Sequence, residues 1–266
     1  MSTKTLYLLP YGGLCNRINA ISSSIKFIEN TDIKLKIFWE NNLDLKADFI
    51  DLFEPIKIKN VTLIKLQWYH IVYFRARKTN LFIPRILRNL LGINQIQNWS
   101  TKQGNLIDKI EGNKNYLSTC HSIGNKGAIG NVFKPILPLR NELKGLQEKF
   151  SKKTIGIHIR RGDHISAIEA SPIENFYTKM DEEIIKDKNT VFYLATDSKE
   201  IKSSLEKRYQ GKIISYEMPL TRKSKSGMFG AIIDLWALSY TSKIIGTKLS
   251  MYSLVASEIN ETKLEL

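Results

Sequence analysis

The chain has 266 residues, with 40 Lys and Arg against 26 Asp and Glu, a formal net charge of +14. That length suits two domains of about 100–150 residues, and 42% hydrophobic residues exclude wholesale disorder. Two cysteines, Cys15 and Cys120, exclude a disulfide framework or a Cys-rich zinc site and favour a reducing compartment.

The first residues, MSTKTLYLLPYGG, lack the apolar run of a signal peptide. No stretch of about 18 apolar residues occurs anywhere, so a soluble, cytoplasmic protein is expected. The excess positive charge calls for a polyanionic partner: nucleic acid, an anionic membrane or a phosphorylated substrate. Thr5–Leu9 reads as a strand, Pro10–Asn16 as a Gly-containing loop and Ile18–Glu29 as a helix. Ile33–Phe38 and Val61–Leu66 follow as strands, and Trp68–Trp99 reads as irregular helix. Pro135 and Pro138 precede a charged helix, and the domain boundary is expected near residue 150. The expected domains are therefore 1–150 and 151–266.

In the second half Thr154–Arg160 alternates, with Ile155, Ile157 and Ile159 on one face and Gly156, His158 and Arg160 on the other. A helix from Pro172 carries Phe176, Met180 and Ile184. Val191–Ala195 and Lys212–Tyr216 read as strands flanking a helix at Lys199–Tyr209. Met228–Tyr240 reads as a buried helix, Lys243–Gly246 as a short strand and Met251–Ile259 as a last helix. Strands and helices alternating at this spacing predict parallel sheets covered on both faces, arranged as two facing Rossmann-like domains.

Ligands of open α/β sheets bind outside the carboxyl ends of the strands, so the chemistry should lie where strands finish. The first strand of the second half ends His158-Ile159-Arg160-Arg161-Gly162-Asp163. Two adjacent guanidiniums there suit an anion, for each offers a rigid fork of donors that stays charged. His158 shares a face with Arg160, and Asp163 can hold an arginine or accept from the Gly162 backbone. A salt-bridged strand end with a core histidine is the structural alternative. Asp197 either caps the following helix or lines the cleft. Asp234 sits in an apolar helix, where a carboxylate needs donors: a guanine base offers two adjacent N–H groups, a neighbouring hydroxyl offers one. Gly246-Thr247-Lys248-Leu249-Ser250 runs from a strand end to a helix start and suits a phosphate or a simple cap. The sequence has no G-x-x-x-x-G-K-[ST], G-x-G-x-x-G, D-x-D, G-x-S-x-G or H-E-x-x-H pattern. His158, Asp163 and His164 would make a poor metal cluster with two arginines among them, so arginine rather than a metal should neutralise the anion.

Taken together, His158-Ile159-Arg160-Arg161-Gly162-Asp163, Tyr193–Ser198, and Asp234–Ser239 through Gly246–Ser250 resemble the three ordered motifs of the fucosyltransferases that carry H-x-R-R-x-D. These are the α1,2-, α1,6- and protein O-fucosyltransferases and the bacterial nodulation fucosyltransferase. Gly12-Gly13-Leu14-Cys15-Asn16-Arg17 is similar to their Gly-rich loop, with Asn16 at a donor-contacting position and Gly13 and Arg17 beside it.

The resemblance implies a GT-B type fold with an acceptor-side first domain and a donor-binding second domain. It implies inverting transfer of fucose from GDP-fucose to a glycan hydroxyl, with no metal or other cofactor. Arg160 would contact the β-phosphate and His158 the nucleotide. Asp234 would meet the guanine and Thr247 to Ser250 the phosphates, with Arg161, Asp163 and Asp197 completing the donor site. Glu169 is similar in placement to the base of the α1,6 branch, and His164 is the other candidate base. The α1,2 and α1,6 linkages both stay open, as does another GDP- or nucleotide-linked sugar.

From Pro55 to Ile107 the sequence carries Lys57, Lys59, Lys65, Arg75, Arg77, Lys78, Arg85, Arg88 and Lys102 and no Asp or Glu. Trp68, Tyr69, Tyr73, Phe74, Phe82, Leu87, Leu90 and Leu91 are interleaved. Such a stretch suits peripheral contact with an anionic inner-membrane face, of use to an enzyme acting on a lipid-linked glycan. An ordinary insertion with core aromatics is the alternative. A nucleic-acid-binding protein is the rival of another class, but no helix-turn-helix, RNA-binding or zinc motif supports it.

Overall fold

Short apolar strands pair in parallel to give two separate sheets in the computed structural model of the chain, which describes residues 4–74, 83–219 and 221–266. The chain divides into Met1–Lys134 and Pro135–Leu266.

In the first unit β1 (Thr5–Pro10) leads into α1 (Leu14–Ile28), and β2 (Lys34–Trp39) follows. Then come α2 (Phe49–Leu52), β3 (Val61–Lys65), α3 (Arg85–Leu90), β4 (Ile93–Gln97), β5 (Lys114–Thr119) and α4 (Ile129–Val132). The sheet order is β3-β2-β1-β5-β4, all parallel. The stretch read as irregular helix is a 3-10 turn at Trp68–Tyr73, then α3, then strand β4. β5 escapes the pattern because its polar Asn115, Ser118 and Thr119 are buried. Asn115 Oδ1 accepts from Asn94 Nδ2 at 3.0 Å and Glu111 N at 2.9 Å, and the Thr119 hydroxyl donates to Trp99 O at 2.7 Å. Those bonds lower the cost of placing a polar side-chain oxygen and a hydroxyl in a sheet interior, although Asn115 Nδ2 is buried without a hydrogen-bond partner.

The second unit begins with α5 (Leu137–Gln147), followed by β6 (Thr154–Ile159), α6 (Ile165–Glu169) and α7 (Ile173–Lys186). It continues with β7 (Val191–Thr196), α8 (Lys199–Arg208), β8 (Ile213–Ser215) and α9 (Lys225–Ser239). It ends with β9 (Ile244–Ile245), α10 (Met251–Ile259) and β10 (Leu264–Glu265). The division precedes residue 150 because α5, through an inner face of Leu139, Leu143 and Leu146, packs with α9. Each such buried leucine is worth about 1.5–3 kcal/mol.

All strands of this sheet are parallel in the order β8-β7-β6-β9-β10, which is the doubly wound order 3-2-1-4-5 counted within the unit. The expected two-residue alternation of β6 holds. Ile155, Ile157 and Ile159 join Phe176 and Met180 of α7 and Leu205 of α8 in one core. On the opposite face, Gly156 meets Leu238 and Thr241 at the end of α9, and His158 meets Tyr252 and Ser253 of α10. The sheet is thus covered on both sides, and the crevice at its topological switch lies at the carboxyl ends of β6 and β9. Among the described residues no helix is long and apolar enough to cross a membrane.

Candidate functional site

β6 delivers Arg160 and Arg161 side by side at that crevice, but their surroundings give them different tasks. Arg161 is committed to the protein. Its guanidinium donates to Arg160 O and Ser171 O, both at 2.8 Å, and lies over the Phe176 ring at 5.9 Å. Arg160 stays 27% exposed, with Nη2 donating to Asp163 Oδ1 at 2.6 Å. Its Nε is buried without a partner. Asp163 takes Arg222 on its other oxygen. The two guanidiniums hold its carboxyl down at about 2, so the cluster of two arginines and one aspartate carries one net positive charge at working pH.

Asp197 holds the loop that carries these arginines. Its carboxylate accepts the backbone N–H groups of Arg161 at 2.6 Å and Gly162 at 3.0 Å. A Cβ at Gly162 would sit 2.7 Å from Asp197 Oδ2, so the loop can approach only as glycine. The cap of α8 is Ser198, which accepts from Ile201 N at 3.2 Å. Asp197 therefore does not cap α8; exposed at the end of β7, it holds the loop that follows β6.

Thr247 fastens β6 to the loop after β9. Its hydroxyl donates to His158 O at 2.9 Å and accepts from Arg160 N at 3.0 Å. Thr247 is fully buried, and both functions of its hydroxyl are spent on backbone rather than turned to the crevice. His158 lies below it, 6% exposed and stacked on Tyr252, with Nδ1 2.7 Å from the Ser253 hydroxyl. Burial and the nearby Arg160 push the imidazole down to about 3, so it stays neutral.

Of the remaining loop residues, Lys248 and Leu249 are exposed and Ser250 is buried. Lys248 N donates to the Ser171 hydroxyl at 2.9 Å. Leu249 takes φ +58, a left-handed conformation that is strained for a branched side chain and marks a loop held for a purpose. Ser250 begins α10 without making the usual cap bond, and its hydroxyl oxygen is buried without a partner. Arg160 Nε and Ser250 Oγ are thus both buried without a hydrogen-bond partner, one just past the end of β6 and the other at the start of α10. That combination suits an anion.

Asp234 projects from α9 and accepts the Tyr193 hydroxyl at 2.6 Å. It is half-buried, yet deep enough that desolvation pushes its carboxyl up to about 7. A hydroxyl partner was one of the two expected, and it occupies one of the two oxygens. Glu169 lies exposed at the end of α6 and makes no ion pair among the described residues. His164 caps α6, its Nδ1 accepting from Ala167 N at 3.0 Å, so Nε2 is the nitrogen left for a proton. Arg222, Ser171 and Ser253 were missed by the sequence reading. Arg222 alone had a signal, in the basic Thr221-Arg222-Lys223 run ahead of the Ser224 cap. Among the described residues no group of three or more His, Cys, Asp or Glu side chains could hold a metal ion.

In the first unit the Gly12-Gly13 turn likewise stands at the carboxyl end of β1, at its sheet's own switch point. Gly12 takes φ +84, and Gly13 is the cap of α1. Asn16 lies in the first turn with its amide over Gly12. Arg17, assigned to the donor by resemblance, is fully buried. It donates to Gly12 O at 2.9 Å, to Glu40 O and to Asn42 Oδ1 at 3.0 Å, and packs on Trp39. With each nitrogen bonded inside the unit, Arg17 braces the glycine turn instead of presenting charge.

These features define a class: an α/β chain of two Rossmann-like units of GT-B type, with an arginine-lined switch point in the second. The fold is similar to that of NodZ alpha-1,6-fucosyltransferase in a crystal soaked with GDP-fucose. The TM-score is 0.67 at 17% identity, over 97% of this chain and 93% of that one. NodZ from Bradyrhizobium in a second crystal structure gives 0.64 at 16% identity, over 96% of this chain and 92% of that one. POFUT1 in complex with GDP-fucose gives 0.55 at 11% identity, over 98% and 95%. No protein-family model matches the sequence, and no curated protein matches it.

Proposed function

We propose that the chain is a metal-independent, inverting glycosyltransferase that moves fucose from GDP-fucose to a glycan hydroxyl. The observation that carries this is Arg160: an incompletely satisfied guanidinium at the switch point of a doubly wound sheet, coupled to Arg222 through Asp163. The likeness in fold to structures holding GDP-fucose supports it.

In this reading an acceptor oxygen attacks the anomeric carbon while the bond from that carbon to the β-phosphate oxygen breaks. The electron pair stays on the diphosphate, and GDP leaves. Negative charge grows on the leaving oxygen, where a preorganised guanidinium lowers the barrier most. Arg160 meets that oxygen, Arg222 the diphosphate beside it, and Ser250 with the first amides of α10 the remaining phosphate oxygens. Arg161, Asp197 and Thr247 act one step back, fixing the backbone that aims Arg160. The free oxygen of Asp234 accepts from the guanine edge. The acceptor proton passes to Glu169; His164, the other candidate base, has its Nδ1 lone pair engaged by Ala167 N and carries its proton on Nε2. The acceptor is a glycan, a lipid-linked oligosaccharide among the candidates, and the linkage is α1,2 or α1,6.

The test is calorimetric titration with GDP-fucose, GDP-mannose, GDP and UDP, with and without EDTA, followed by GDP release in the presence of glycan acceptors. Guanine nucleotides should bind in EDTA and GDP-fucose should turn over. Equal binding of UDP, or a strict need for Mg²⁺ or Mn²⁺, overturns the reading.

A further inference from the structure

Helix α3 is built inside out. Arg88 turns toward the protein, where Nη1 donates to Gln95 Oε1 at 2.8 Å, while Gln95 Nε2 donates to Tyr73 O at 2.8 Å. The aliphatic side chains turn to solvent instead: Ile86 is 76% exposed, Leu90 78%, and Leu87 and Leu91 50% each. They fall as the i,i+4 pairs Ile86/Leu90 and Leu87/Leu91, one continuous stripe on the helix. The turn ahead of α3 behaves alike, with Trp68 82% and Tyr69 50% exposed. Ile83 N donates to Val72 O at 3.1 Å and ties that turn to the start of α3.

The aromatics of the basic stretch therefore divide. Phe74 is fully buried, and Tyr73 stacks on Tyr116, so these belong to the core. Trp68, Tyr69 and the α3 stripe do not. Six of the sixteen exposed large hydrophobics among the described residues lie between Trp68 and Leu91, a concentration that marks a contact surface. Arg75, Arg77, Lys78 and Phe82 lie outside the described residues.

Charge selects the occupant. From Pro55 to Ile107 the sequence has nine Lys and Arg and no acidic residue, and Lys57, Lys59, Arg85 and Lys102 are exposed. An apolar stripe with an indole and a phenol nearby, set in an acid-free cationic segment, matches the boundary between acyl chains and anionic headgroups. We infer that helix α3 and the Trp68–Tyr69 turn form a peripheral docking surface for an anionic lipid bilayer. The inference is independent of the donor site.

Co-sedimentation with vesicles tests it, using phosphatidylcholine alone and mixed with phosphatidylglycerol. The protein should pellet with the anionic vesicles at low salt and much less with the neutral ones. Leu87→Asp combined with Leu90→Asp should abolish pelleting without changing the melting temperature, since both side chains are exposed. Arg85→Glu should weaken it at least about fivefold, the effect of one cation near such a surface. Three results overturn the inference: no pelleting with anionic vesicles at low salt, undiminished pelleting of the double variant, or a solution dimer that Leu90→Asp dissolves.

Discussion

Arg160 reaches Asp163 across a single turn, Nη2 to Oδ1 at 2.6 Å, and the same carboxylate holds Arg222 on its far oxygen. Asp163 thus holds two guanidiniums side by side, and one negative charge cannot neutralise both. Arg160→Ala should reduce transfer by about 10²–10³ or more, as for other preorganised donors to a leaving oxygen. Its melting temperature should stay near wild type. Wild-type-like turnover in a GDP-release assay would reject the mechanism.

Arg222→Ala should act on binding more than on the fold. The side chain is 44% exposed and pairs with Asp163. Loss of one charge-assisted contact to the diphosphate should raise the dissociation constant for GDP by about tenfold or more. Titration calorimetry reads this directly, and an unchanged constant would leave Arg222 as a mere partner of Asp163.

Arg161→Ala should do the reverse of Arg160→Ala. Removing its guanidinium leaves Arg160 O and Ser171 O without a donor and uncovers Phe176. The expected loss is about 2 kcal/mol of stability, seen as a melting point several degrees lower. Arg161→Lys should not rescue it, because an ammonium cannot span two carbonyls and lie on a ring at once. A variant as stable as wild type would show that the Ser171 link is dispensable.

That contrast locates what was legible in the sequence. The alternation in Thr154–Ile159 fixes which side chains face α7 and which face α10, because a parallel strand covered on both sides admits no other phase. The same alternation places Arg160 at a strand end. It cannot separate Arg160 from Arg161, since the difference lies in Ser171, ten positions on, and Asp197, just past the end of β7. Arg17 shows the same limit. In sequence it is a cation after two glycines, and its burial depends on Glu40 and Asn42, which the fold brings to it. β4 and β5 escaped for a related reason: the Asn94 amide, Asn115 Oδ1 and the Thr119 hydroxyl find partners in one another or in nearby backbone, so a buried strand reads as polar.

Thr247→Val keeps the volume and deletes the hydroxyl that joins His158 O to Arg160 N. Two buried backbone groups lose their partner, at a cost of about 1–3 kcal/mol. Activity should fall further than stability accounts for, because the same bond aims the Arg160 backbone. Full activity at a temperature where the variant is folded would remove Thr247 from the positioning of the site.

Asp234 makes the site sensitive to pH in a predictable direction. Burial raises its carboxyl from an ordinary 3.8 to about 7, although the Tyr193 hydroxyl works against that rise. Between those values the folded chain holds a proton that the unfolded chain has released. The group therefore favours the fold at low pH, and its contribution fades as pH rises through the window. Guanine binding should run the opposite way, because the oxygen that Tyr193 leaves open accepts from the guanine edge best as part of an ionised carboxylate. Affinity for GDP-fucose, whose diphosphate does not titrate here, should fall below pH about 7 with a slope approaching tenfold per unit. Asp234→Asn should weaken binding and flatten that dependence. A wild-type affinity that is level from pH 5.5 to 8, or a slope that survives Asp234→Asn, would take the guanine contact away from this residue.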